Sequence, residues 1–206
     1  MSHNQPTEQS AISNVFGMDH PQQMYVKLAW ELNALMASMS VWKDNEAAPE
    51  ALFHAFNTAI TAWHISDWLW QYQPGIRKQL ATKFQFVFEE TSTGIKKGLG
   101  KFQEAIVLHC NELRVCREIA NGSKHMRKTK TDPNINAQAV WSKVVDPAGF
   151  AKPGDLVMSL RVTNKDKETD AELAFIEALG FWEKLMTELG VFAKDAKLPD
   201  KIIKGS

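Results

Sequence analysis

Residues 51–71, ALFHAFNTAITAWHISDWLWQ, are apolar around most of a helical circumference. A helix that is hydrophobic nearly all round belongs in the centre of a protein, with other helices covering it. This segment predicts a helix starting near Pro49, where proline is tolerated in a first turn, and ending near Tyr72 before Pro74–Gly75. It is expected to be the most buried element, and it sets the fold class as mainly α, a helical bundle.

Working outward, residues 21–40 carry Met24, Val26, Leu28, Ala29, Leu32, Leu35 and Met36 at helical spacing. Lys43, Asp44, Asn45 and Pro49 break that helix. A third helix is expected over 76–90. Residues 91–100 hold three glycines and are expected to form a loop. A fourth helix runs from about Lys101 toward Asn121, with a break near Cys110–Asn111, and Gly122 should weaken or end it.

Beyond it the texture changes. AQAVWSKVV (137–145) has β-branched and aromatic residues, and LVMSLRV (156–162) alternates Val157, Ser159 and Arg161 against Leu156, Met158, Leu160 and Val162, so both read as strands of a small hairpin. Residues 169–191 form an amphipathic helix with Phe175, Leu179, Phe181, Trp182, Leu185 and Leu189 on its apolar stripe and Gly190 near its end. The expected plan is about five helices with a β-hairpin, at about 137–162, inserted before the last. One domain spans 19–195. A flexible polar segment (1–18) precedes it and a tail (196–206) follows.

The chain has 206 residues, enough to bury a core without disulfides or metal. Lys plus Arg and Asp plus Glu both equal 24, so bulk electrostatics give no pull toward nucleic acid; a local basic patch would have to supply it. Cys110 and Cys116 are the only cysteines, and six residues apart on a helix they would make a poor bridge. They read as reduced thiols of a cytoplasmic protein. No signal segment and no membrane-length apolar run is visible. His109, Cys110 and Cys116 lack a zinc spacing, so neither a metal nor another cofactor is expected. The Trp63, Trp68 and Trp70 cluster reads as core, and Glu89–Glu90 as surface charge.

Two constellations could carry chemistry. On the central helix Asn57, Thr61, His64, Asp67 and Gln71 step by 4, 3, 3 and 4, which draws one polar stripe. Asp67, one turn from His64, could orient its imidazole and raise its pKa. The plainer reading is that the stripe satisfies itself across the bundle. The second is CNELRVCREIANGSKHMRKTK (110–130). Arg114, Arg117, Asn121, Lys124 and His125 fall on one ridge if the helix passes through Gly122, and Arg127, Lys128 and Lys130 follow. Arginine and lysine there suit a phosphate, with His125 as acid or base. Ser123, beside Asn121 and Gly122, would offer a backbone donor to an anion if the helix broke. The plainer reading is a basic helix end that complements the dipole. The two polar surfaces could also pair, Asp67 with Arg117 or His125.

A buried AWHISDWLW helix, a CREIANGSKH helix end, a short strand pair and a terminal FWEKL helix together resemble uncharacterised bacterial proteins related to the HEPN superfamily. The resemblance implies a helical bundle, usually a homodimer. Many such domains are metal-independent ribonucleases of toxin–antitoxin and antiphage systems. Their signature is an Arg, four to six residues, then a His, often with a polar residue after the Arg. Its Asn and His would be Asn121 and His125. The positions that leave four, five or six residues before His125 are Ala120, Ile119 and Glu118; Arg117 leaves seven. The resemblance implies Asn121 and His125 as catalytic residues, while the signature's Arg is not met as written; the reading of the basic ridge adds Arg117 and Lys124, with His64, Asp67, Arg114, Ser123 and Arg127 as binding or supporting residues. The partner would be RNA or a nucleotide. The alternative is a non-catalytic module that binds nucleic acid, nucleotide or a protein encoded beside it.

Overall fold

In the computed structural model residues 51–71 are packed among the other helices over most of their length, with Phe53 and Phe56 left exposed near the N-terminal end. The structure describes residues 18–40, 48–124, 134–143, 156–165 and 167–192. Their elements are α1 (Pro21–Ser40), α2 (Ala48–Tyr72), α3 (Pro74–Lys83), α4 (Ser92–His109), α5 (Asn111–Lys124), β1 (Ile135–Lys143), β2 (Leu156–Asn164), β3 (Lys167–Asp170) and α6 (Ala171–Glu188). The fold is mainly helical, with a small antiparallel sheet before the last helix.

Helix α2 touches every other helix. Ala59, Ala62, Ile65, Leu69 and Trp70 are fully buried along it. Small alanines let neighbours approach closely, and the large side chains fill the gaps between them. The Trp182 indole N–H of α6 donates to the Ala62 carbonyl at 2.8 Å, which pins α6 onto α2. From α1, Tyr25, Leu28 and Leu35 complete the same core.

Two expectations need correction, one left open is decided, and one is extended. Helix α3 ends at Lys83, not near Glu90. The residues after it, Phe84, Phe86 and Phe88, are half-buried while Gln85 and Val87 are exposed. Phe84 and Gln85 form the turn that ends the helix, with Gln85 at φ +56°, and the chain runs on without helix from Phe86, whose ring and that of Phe88 pack on Trp70 at 5.9 and 5.0 Å between centroids. Second, residues 92–100 are helix, not loop. The Thr91 hydroxyl caps α4 by accepting the Gly94 N–H at 3.0 Å. Gly98 is where α4 meets the Trp70 ring, and a Cβ there would lie 2.6 Å from it. Of the three glycines that suggested a loop, Gly98 allows this approach, Gly94 lets the helix start pass close to Glu89, and Gly100 meets nothing.

Third, α5 does not end at Gly122 but continues to Lys124. Tertiary packing of Leu113, Val115, Cys116 and Ala120 outweighs one unfavourable glycine near its end. The break at Cys110 is as expected, with Cys110 in an extended conformation between α4 and α5. Fourth, the hairpin is a three-stranded sheet in the order β1-β2-β3. Residues 167–170 turn back at Lys165, whose φ is +56°, and pair on β2. Glu168 and Asp170 of this strand hold Arg161 of β2, at 3.7 and 3.2 Å. Four charged or polar residues carry no strand pattern of their own, so only the neighbouring strand selects this conformation.

Leu160 and Val162 of β2 are buried under the helices, as the alternation requires. The sheet leads straight into α6 through its cap Asp170. That helix closes at Gly190, φ +65°, with the Gly190 N–H on the Thr187 carbonyl and the Val191 N–H on the Met186 carbonyl. These two bonds are those of a Schellman end.

Candidate functional site

Continuity of α5 decides the geometry of the basic ridge. Steps of 3, 4 and 3 put Arg114, Arg117, Asn121 and Lys124 on one side of a single helix. Arg114 and Arg117 are half-buried and Asn121 is exposed. Leu113, Val115, Cys116 and Ala120 are buried and hold the helix against α2, α4 and α6. Ser123 and Lys124 belong to the last turn by their backbone. His125, Arg127, Lys128 and Lys130 lie outside the described residues.

Arg117 is already engaged. Its Nε donates to Glu118 Oε1 at 3.2 Å, and its guanidinium lies 5.8 Å from the centre of the Trp63 ring on α2. Glu118 is buried. A buried carboxylate beside a guanidinium stabilises its position and cancels much of its outward field. The Trp63 face adds a cation–π contact of about 0.5–2 kcal/mol. Both contacts orient Arg117 toward the seam between α5 and α2. In sequence Glu118 is only an immediate neighbour of Arg117, and adjacent helical residues do not normally face each other. Nothing in the spacing pointed to this pair.

The α2 stripe divides between two neighbours. Thr61 accepts from Lys27 Nζ of α1 at 2.6 Å, and Lys27 also pairs with Glu31. At the other end Gln103 of α4 donates to Ser66 Oγ at 3.0 Å and reaches Asp67 Oδ1 at 3.4 Å. Asn57 and Gln71 are exposed, and His64 is half-buried between the two ends. None of His64, Asp67 and Arg114 is without a partner. For Thr61 and Asp67 the plainer reading therefore holds: polar groups of a buried helix find partners across the bundle. The Lys27–Glu31 pair was missed, although its i,i+4 spacing inside an apolar run is a legible signal.

Trp63 and Trp70 are core, with Trp68 at its margin. Glu89 is exposed, but Glu90 is more than surface charge. It sits 3.3 Å from the buried Arg77 of α3, which also donates to the Trp70 carbonyl. Both cysteines are free and buried. Among the described residues no group of His, Cys, Asp and Glu could hold a metal ion. No helix among them is long and apolar enough to cross a membrane.

No protein-family model, curated protein or solved structure matches this chain.

Proposed function

We propose that this chain is a HEPN-like helical module that takes an RNA phosphate on the α5 ridge and cleaves RNA without a metal. The observation that carries this reading is the unbroken course of α5 through Gly122 to Lys124, which aligns Arg114, Arg117, Asn121 and Lys124 immediately before His125. RNA brings its own nucleophile, the 2′-OH. As the 2′-oxygen bonds to phosphorus the P–O5′ bond breaks, and His125 moves the proton from the 2′-hydroxyl toward the departing 5′-oxygen. Arg117 and Lys124 stabilise charge that develops on the phosphate, and Asn121 donates to the same group. His64, Asp67, Arg114, Ser123 and Arg127 support the site from its margins. The resemblance adds a cytoplasmic homodimer of the toxin or antiphage kind, working with a protein encoded beside it.

One observation favours a second reading, a non-catalytic module for RNA, nucleotide or a protein partner. Glu118 already holds Arg117, which weakens the charge available to a transition state. The experiment that separates the two is incubation of purified protein with mixed RNA in EDTA, beside a folded His125→Ala variant. Cleavage by the wild type is expected, reduced at least about 100-fold in the variant. Equal cleavage by both would refute the role of His125. Salt-sensitive RNA binding without cleavage in either would support the binding module instead.

A further inference from the structure

Helix α1 begins with an imidazole where a hydroxyl, amide or carboxylate usually stands. Its first residue is Pro21, so His20 holds the cap position. The His20 Nδ1 accepts the Gln22 N–H at 3.1 Å, and the His20 carbonyl accepts the Gln23 N–H at 3.0 Å. In return Gln23 Oε1 accepts the N–H of His20 at 3.0 Å and that of Asp19 at 2.8 Å. Pro21 has no N–H to satisfy. Every donor that a helix start leaves without a partner is thereby accounted for, through the reciprocal side-chain bonds of a capping box. Serine, threonine, asparagine and aspartate ordinarily make this bond, and none of them titrates between about pH 5 and 8.

An N–H can donate only to an unprotonated nitrogen, so this cap requires a neutral His20 with its proton on Nε2. A second proton would set Nδ1–H and the Gln22 N–H against each other, two donors with no acceptor between them. It would also place a cation at the positive end of the α1 dipole. Burial holds the imidazole below its ordinary 6.5, and the Asp19 carboxylate pulls the other way more weakly. From α2 the group that meets the ring is Tyr72, edge to face with centroids 4.5 Å apart. Tyr72 closes α2, and the negative end of that helix is the second influence that favours a charged ring. Lys27, which lines the same groove as His20, opposes it.

We propose that His20 is a pH switch for the first turn of α1. Neutral, it caps the helix. Protonated, it releases the Gln22 N–H and turns toward the Asp19 carboxylate and the end of α2. The change stops within one turn, because Met24 and Tyr25 are buried in the core and hold the next. His20, Gln22 and Gln23 also wall an open groove that Val26, Lys27 and Trp30 continue, so one end of this groove loosens with the cap. The folded ring takes its proton below the unfolded value of 6.5. The stabilisation is therefore complete above 6.5 and is lost as pH falls through the folded value.

The switch involves no residue of the α5 ridge, and its test contains no RNA. Heteronuclear NMR of the full chain, titrated from about pH 8 to about pH 5, reads it directly. His20, assigned as the imidazole signal that His20→Asn removes, should show the Nε2–H tautomer at the upper limit and a midpoint below 6.5. The Gln22 amide should shift with the same midpoint. Its protection against exchange, corrected for the intrinsic rate, should fall roughly fivefold on protonation, the worth of one cap. His20→Asn supplies a cap that does not titrate, so its Gln22 protection should stay within about twofold over that range. His20→Ala should be as unprotected at the upper limit as the wild type is at the lower. A midpoint at or above 6.5, an Nδ1–H tautomer, or a wild-type Gln22 protection that pH leaves unchanged would each overturn the inference. So would His20→Asn with the pH dependence of the wild type, which would assign that dependence to another group.

Discussion

At Cys110 and Cys116 burial is the largest of the influences on the thiol's chemistry. Burial pushes the Cys110 thiol up to about 11, and the neighbouring Glu112 carboxylate adds to the effect, against backbone hydrogen bonding from Leu113. Burial raises Cys116 further, with Cys110 beside it contributing in the same direction. The thiolate is the nucleophile, so a thiol reagent at pH 8 should label both residues at least about 100-fold more slowly in the native chain than after denaturation. Native labelling at the denatured rate would contradict their burial. The same shift has a consequence for stability. A thiol raised on folding contributes stability that is complete below the unfolded value of 9.0 and lost as pH climbs toward 11. Thermal unfolding from pH 7 to 10.5 should fall off above about pH 9, and Cys116→Ala should flatten that fall. The residue scale also explains why Arg117 was readable only in part. Its place on the ridge follows from counting, but its engagement by Glu118 and Trp63 depends on which way the guanidinium turns at the α5–α2 seam.

Among the elements, α4 departs most from its sequence pattern. Three glycines in nine residues argue for a loop by propensity, yet Ser92–His109 is helical because Thr91 caps it and Gly98 seats it on Trp70. Gly98→Ala should improve helix propensity by about 1 kcal/mol. It should nevertheless destabilise the protein, by about 1–3 kcal/mol, because its Cβ would meet a ring wedged among Phe86, Phe88 and Phe102. Urea unfolding checks the sign: a stabilised variant would mean the ring can yield. The α3 boundary carries the complementary lesson. FQFVF alternates with period two, a signal against helix present in the sequence, which the helical reading of 76–90 overrode.

In the whole molecule, α2 is the axis and α6 the element returned to it after the sheet. Trp182, fully buried and bonded to the Ala62 carbonyl, joins parts of the chain 120 residues apart. Trp182→Phe loses that bond and leaves a cavity where the rest of the indole was, and should cost about 1–3 kcal/mol in urea unfolding. A cost below about 0.5 kcal/mol would mean that α6 is held by apolar contact alone.

Sequence by itself determined the mainly helical class, the central position of α2, the bounds of α1, the break at Cys110, the two long strands and the last helix. These follow from periodicity and from proline and glycine punctuation, which are local and act within a few residues. Tertiary structure alone decided that the glycines of 92–100 are helical, that β3 exists, that α5 survives Gly122, and that the α2 stripe is shared between Lys27 and Gln103. Each of those outcomes depends on a partner distant in sequence. Long-range contacts of this kind choose among conformations that local propensity separates by only about 1 kcal/mol per residue.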